Sequence, residues 1–401
     1  MSRRRLWGVR SVVLLVIVGS LAACTSAPPR REEPVAAPPP TTPAASANTP
    51  DPLAQLLADN SPLGPPLQQA KSRWTPVRWS DLPGLNDDPL HEAWNAWLKS
   101  CERPAPVFAP LCQDVRRLSI ATLEEQRDWL TSRLQPYRVE ALQQAAAGEE
   151  GLLTGYFEPL LDASKQPGGR FQFPLYQPPA QLAQRKPWYT RQEADTLAAA
   201  QAALRGRAIA YLADPVDVLI LQIQGSGRLR VALPDGTQHL VRLSYAGSND
   251  QPFKSAGRWL LDQGLVRDAS WPAIKLWAAQ NPGRVNELLW ANPRMVFFKE
   301  EALGEFEAAF GPRGTQGVPL TPGRSIAVDA GSIPVGTPVW IASSGPWMNL
   351  QKLVLAQDTG GAISGGVRAD YFTGWGAQAA ELAGRLRQPL RMWVLWPKNH
   401  D

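Results

Sequence analysis

Four hundred and one residues, 44% hydrophobic and 19% charged, exclude a wholly disordered chain and a multi-span membrane protein. They leave room for two or three domains of roughly 100–200 residues each. The formal charge of +5, from 41 Lys+Arg against 36 Asp+Glu, would favour a nucleic-acid or anionic partner only if it were spread over a folded surface.

It is not so spread. Arg3, Arg4, Arg5 and Arg10 lead into an apolar run, Ser11 to Ala23, that ends in small residues. The run is shorter than the about 20 residues a membrane-spanning helix needs, and its flanks describe an export signal over residues 1–23. Leu21-Ala22-Ala23-Cys24 resembles a bacterial lipobox, in which the cysteine is acylated and becomes the new N-terminus. An ordinary cleaved signal with a chance cysteine is the alternative. Thr25 stands where a lipoprotein retained in the inner membrane would carry Asp, so the resemblance implies an outer-membrane anchor. Removing residues 1–23 takes four arginines and no acid, leaving 37 bases against 36 acids. The basicity belongs to the signal, and no nucleic-acid partner is expected. Residues 24–52 form a Pro/Ala-rich tether, with nine prolines among the 25 residues from Pro28 to Pro52. At about 3 Å per residue such a chain reaches on the order of 75 Å.

Residues 53–150 read mainly as helices. One starts after Asp88-Pro89 with Trp94, Trp97 and Leu98 on one face, a second begins near Thr122, and a third covers Val139 to Ala147. Cys101 and Cys112 fit a disulfide in an oxidising compartment, or else two buried thiols. From Gly151 the texture turns to strands: Leu152 to Pro159, Asp217 to Gln224, Leu229 to Leu233, and a further strand through Tyr245 after the Pro234-Asp235-Gly236 turn. A helical stretch from Ser255 to Phe310 precedes strands at Arg324–Asp329, Thr337–Ile341, Leu353–Gln357 and Met392–Trp396. The expectation is an α+β protein, mainly β, with at least one small barrel. The sixteen tryptophans are read as core.

Elimination narrows the chemistry. Three histidines, His91, His239 and His400, give no triad and no paired metal-ligand spacing, so no metal or cofactor is expected. Gly225-Ser226-Gly227 lacks the Lys-Ser/Thr ending of a phosphate loop. Carboxylates remain. Asp329, Asp358 and Asp370 lie at strand ends or in glycine-flanked loops, where burial raises a carboxyl pKa and suits it to general-acid work. Gly360 and Gly361 beside Asp358 leave room for a bulky substrate, whereas turn-capping aspartates are the structural alternative. A single Asp-Thr-Gly argues against an aspartic protease, which needs two aspartates sharing a proton. Read as a strand, the segment before Gly225 puts Gln222, Gln224 and Ser226 on one face, where amides and a hydroxyl can both donate and accept hydrogen bonds to a ligand. Tyr156 and Tyr245 are candidates to pack beneath a ligand ring, with core tyrosines as the alternative.

Gly151-Leu-Leu-Thr-Gly-Tyr-Phe-Glu-Pro, Gln222-Ile-Gln-Gly-Ser-Gly-Arg, Ser244-Tyr-Ala-Gly, Asn292-Pro through Phe297-Phe298, Val318 through Asp329 and Ala356-Gln-Asp-Thr-Gly-Gly-Ala-Ile363 resemble the membrane-bound lytic murein transglycosylase A family. The last portion resembles its three-aspartate domain. The resemblance implies a double-psi β-barrel domain, residues 53–159 and 311–401, interrupted by an inserted β-rich second barrel at 160–310. It also implies cleavage of the β-1,4 MurNAc–GlcNAc bond with 1,6-anhydromuramyl products. Asp358 matches the single catalytic acid, with Asp329 and Asp370 orienting it or binding sugar. The partners implied are peptidoglycan glycan strands, a membrane through the Cys24 lipid, and cell-wall synthesis or scaffold proteins. A hydrolytic endoglucanase-like glycosidase and a non-catalytic wall-binding lipoprotein are the competing readings. Glu158 departs from some relatives, which are expected to be uncharged there, so the resemblance assigns it no role.

Overall fold

The computed structural model describes residues 62–142, 150–233 and 236–398. The export signal, Cys24, the tether, the Pro234-Asp235 pair and His400 lie outside those residues, as does most of the helix expected to end at Ala147.

Fifteen strands are described. β1 (Leu67–Gln68), β2 (Ser72–Pro76), β3 (Leu134–Ala141) and β4 (Gly151–Glu158) come first. β5 (Leu160–Ala163), β6 (Phe173–Tyr176), β7 (Ala208–Leu212), β8 (Gly227–Ala232), β9 (Gln238–Ser248) and β10 (Val296–Ala302) follow. β11 (Ser325–Val328), β12 (Pro338–Ser344), β13 (Asn349–Thr359), β14 (Arg368–Trp375) and β15 (Arg387–Pro397) complete the set. The first four and last five strands make one sheet in the order β1-β2-β3-β15-β12-β13-β11-β14-β4. β4 also pairs with β15, so β15, β12, β13, β11, β14 and β4 close into the expected barrel. Two of its pairings, β11–β13 and β14–β4, are parallel. Ile326, Val328, Val339, Ile341, Val354 and Val394 fill it.

Outside the barrel wall, helix Leu90–Ser100 presents Trp94 and Trp97 to Trp129, and this group packs on Trp340, Leu353 and Trp393. Each such indole removes about 150–250 Å² from water. Arg324 ties helix to barrel, pairing with Asp88 at 2.7 Å and Glu92 at 2.8 Å while only 1% exposed. Thr122 and Glu125 form a reciprocal cap that starts helix Leu123–Arg133. Cys101 and Cys112 are joined by a disulfide.

Strands β5 to β10, between β4 and β11 in sequence, build a separate sheet, β10-β9-β8-β5, and a ribbon, β6-β7. Ser164, just past β5, bridges to Tyr211 of β7, so the ribbon continues that edge. Side chains from all six strands then enclose one core, including Ala163, Leu175, Leu212, Leu229, Val241 and Phe298.

Several local expectations are corrected. Asp217–Gln224 is not a strand but most of a helix, Pro215–Gln224. Asp214 caps it by accepting from Val216 N–H at 2.8 Å, Pro215 stands in the first turn, and Gly225 ends it at φ 80°. Val216, Val218, Leu219, Ile220 and Leu221 are all buried, so the run shows no polar face and imitates a buried strand. Val139–Ala141 belongs to strand β3, not to a helix. The Ser255–Phe310 stretch is helical at Ala256–Asp262, Trp271–Gln280 and Val285–Trp290, but Val296–Ala302 is a strand paired with β9. Strand β14 and helix Gly376–Arg385 stand where no element is expected.

Candidate active site

A bulge in β13 sets the direction that Asp358 faces. Ile326 of β11 pairs with Ala356, but the next residue, Ala327, pairs with Asp358, so Gln357 is an extra residue in β13. Gln357 is fully buried and turns toward helix Leu90–Ser100, donating to Ala96 O and Ser100 Oγ, both at 2.8 Å. Asp358, the next residue along, faces the other way. Ala327 also pairs with Asp370 of β14, and Asp370 pairs with Thr154 of β4. The two aspartates therefore flank one central strand.

The Asp358 carboxyl is heavily solvated by protein donors. Oδ1 accepts from Thr315 N–H (2.9 Å), Thr315 Oγ1 (3.0 Å) and Thr359 N–H (2.9 Å), and Oδ2 accepts from the Tyr156 hydroxyl (3.1 Å). Burial nonetheless dominates and raises its pKa, against the downward pull of these hydrogen bonds. Burial, and then the Asp358 and Asp370 carboxyls, hold the Tyr156 phenol well above its ordinary value, so it stays a neutral donor. Burial raises Asp370 as well; Thr154, donating at 2.5 Å, and Arg368 pull it down while Asp358 pushes it up.

Asp329 is placed elsewhere. It accepts from Lys71 Nζ (2.7 Å), Gly365 N–H (2.9 Å) and Gly331 N–H (3.0 Å). Burial opposes the charge, but Lys71 and the two amides outweigh it and lower the pKa. Asp329 is thus an ionised staple on the loop between β13 and β14, not a neighbour hydrogen-bonded to Asp358.

The helix separates the residues that strand parity would align. Gln222 lines a small cleft of about 50 Å³ with Ile223, Phe253, Asn292, Arg294, Gly361 and Ala362, where helix Pro215–Gln224 and the loops around Phe253 and Arg294 face the loop after β13. Gln224 Oε1 instead accepts from Phe157 N–H at 3.0 Å, fixing the helix to β4. Ser226 is buried in the turn before β8, and Tyr245 stands exposed on β9; neither hydrogen-bonds to the Asp358 group. A Cβ on Gly360 would come within 2.9 Å of Ile363, so the loop is tight there. Among the described residues no group of three His, Cys, Asp or Glu side chains is placed to hold a metal ion.

Thr315, Thr154 and Arg191 were not legible as site residues. The only sequence signal for Thr315 is its place between Gly314 and Gly317; a Cβ on Gly314 would come within 2.4 Å of Gln357 O, so the glycine lets this loop press against β13. Arg191 is buried, and that burial brings its guanidinium down to about 10, leaving it charged at neutral pH; it holds Gln222 Oε1 at 2.6 Å.

Comparison with known proteins agrees with this architecture. Residues 152–299 match the family model described as the MltA specific insert domain, and residues 324–396 match the 3D domain. A membrane-bound lytic murein transglycosylase A of Vibrio cholerae is 31% identical over 295 residues, covering 69% of this chain and 75% of that one. The structure of a lytic transglycosylase, LtgG, of Burkholderia pseudomallei is 41% identical, with TM-score 0.55, over 84% of this chain and 99% of its own. E. coli MltA with bound chitohexaose is 25% identical with TM-score 0.65, over 84% and 96% of the two chains. With both family models matched in order and a relative 31% identical over 69% of the chain, this chain belongs to the membrane-bound lytic murein transglycosylase A family.

Proposed function

We propose that this protein cleaves the β-1,4 bond between MurNAc and GlcNAc in peptidoglycan, with Asp358 as the one residue that moves protons. The observation that carries the reading is the Asp358 environment: burial favours the protonated acid, while four donors stand ready for the carboxylate. Asp358 gives its proton to the glycosidic oxygen as the bond to C1 breaks. The muramic C6 hydroxyl then closes on C1, and its proton returns to Asp358. No water is consumed, so product masses sum to the substrate mass. Hydrolysis would need a second carboxylate to activate water or attack C1. An intramolecular hydroxyl replaces that group by proximity. Asp370 and Tyr156 tune Asp358, and Asp329 holds the loop carrying Gly360 and Gly361. On this reading residues 160–310 are the inserted domain and 311–401 the second half of the barrel domain.

The test is mass analysis of muropeptides released from murein in ¹⁸O-water. Fragments without a reducing end and without label are expected; a reducing end carrying solvent oxygen makes the protein a hydrolase. Asp358→Asn is expected to lower kcat by about 10²–10⁴-fold, the usual worth of a general acid, with glycan binding kept. Unchanged clearing of murein by that variant would rule out Asp358 as the catalytic acid, whereas glycan binding with no clearing by the unaltered protein would leave only a wall-binding role. We also propose attachment to the outer membrane through an acylated Cys24. Among the described residues no helix is long and apolar enough to cross a membrane. Cys24→Ala should move the protein from the membrane to the soluble fraction.

A further inference from the structure

The cleft beside Gly361 holds one guanidinium and no carboxylate. Arg294 lies on the segment that enters β10, and the backbone around it is clamped from beneath. Buried Arg191 donates to the carbonyls of Asn292 (3.1 Å) and Arg294 (2.7 Å). Asn249, fully buried, donates to Pro293 O at 2.9 Å and accepts from Met295 N–H at 2.8 Å. A rigid base therefore presents a single long cationic side chain.

Of the five N–H donors a guanidinium carries, one on Arg294 is placed, from Nη1 to Gln251 O at 3.2 Å. Among the described residues no carboxylate pairs with it. A Cβ on Gly361 would sit 3.4 Å from the guanidinium, so the glycine leaves that face uncovered. Gln222 stands on the same cleft with its Oε1 already taken by Arg191, so its amide offers N–H donors to whatever enters. Ile223 and Phe253 supply an apolar wall. Donors, one positive charge, an apolar side and no acid describe a receptor for a small anion borne on a larger ligand.

We propose that this cleft is a carboxylate subsite, in which Arg294 and Gln222 bind a carboxylate carried by the glycan substrate. The proposal rests on the murein reading above. Murein offers that chemistry from two sources: the stem peptide, or the lactyl group of each muramic residue once the stem has been removed. A chitin oligomer has neither.

Binding and turnover of three probes by the full-length protein and its Arg294→Gln variant test the proposal: intact murein fragments, amidase-stripped glycan strands, and chitohexaose. Arg294→Gln is expected to lose about 10- to 100-fold in affinity for a carboxylate-bearing probe, the usual worth of a charged hydrogen bond. Its affinity for neutral chitohexaose should hold within about twofold, the difference expected when no charged contact is lost. Wild-type affinity for the anionic probe should fall with added salt, and that of the variant should not. Loss on stripped strands identifies the lactyl carboxylate; loss confined to intact murein identifies the stem. An equal loss on chitohexaose overturns the proposal, because Arg294 then only shapes the groove, and so does unchanged affinity for all three probes. Since binding is read directly, an inactive protein would defeat the proposed reaction without deciding the subsite.

Discussion

At the scale of single residues, the site depends on which protonation states burial favours. The folded state raises the pKa of Asp358 above the ordinary 3.8, so its stabilising effect is complete below pH 3.8 and is lost as pH rises through the folded value. Asp358→Asn has no such loss. Its melting temperature relative to wild type should therefore rise from pH 3.5 to pH 7.5, and a flat difference would mean the carboxyl is not held protonated. Tyr156 pulls the other way, because its hydroxyl bonds to the carboxylate and lowers that pKa. Tyr156→Phe should shift the basic limb of the kcat/KM profile to higher pH, a readout that simple loss of packing would not move. Asp329 has the opposite sign: its lowered pKa makes its contribution complete above 3.8 and lost as acid protonates it, releasing Lys71. These roles are invisible in the local sequence. Asp329, Asp358 and Asp370 look alike there, each set among small residues and strands, and only the partners brought by distant segments separate them.

Among the elements, helix Pro215–Gln224 carries the clearest lesson. Asp214, Pro215 and Gly225 are legible stop and start signals, but a run buried on nearly every side has no amphipathic period to mark it as helical. Gly225 sits at φ 80° with open space where a Cβ would go, so Gly225→Ala meets conformational strain alone. It should cost about 1–2 kcal/mol, the penalty for a left-handed L-residue, seen as a lower urea midpoint with an unchanged m-value. Strand β14 is hidden for a related reason. Arg368-Ala-Asp-Tyr-Phe-Thr-Gly-Trp375 mixes charge, glycine and aromatics, and becomes a strand by pairing with β11 and β4. The capping box at Thr122 and the alternating strands near the C-terminus needed no such help.

For the whole molecule, the decisive contact is where the chain leaves the barrel and returns. Glu158, fully buried at the end of β4, pairs with Arg228 and Arg242, each at 2.6 Å. The same two arginines donate to Ala308 O and Phe310 O on the returning segment, and Arg228 lies 4.1 Å from the Trp375 ring. One carboxylate thus holds both crossings between β4 and β11. Glu158→Gln keeps the shape but leaves two buried guanidinium groups without a counter-charge. A loss of about 3–5 kcal/mol is expected, measured by chemical denaturation. By itself the sequence determined the family, the order of its motifs, the barrel's β-rich texture and a candidate acid in Asp358, because these reside in local patterns and in motif order. Only the tertiary structure decided that residues 215–224 are helical, that Asp329 staples a loop, that Thr315 holds the Asp358 carboxyl, and that Arg191 supports the small cleft that Arg294 lines. Their roles come from contacts between segments tens to hundreds of residues apart, and side-chain burial and pairing there follow from packing rather than from any neighbouring residue in the chain.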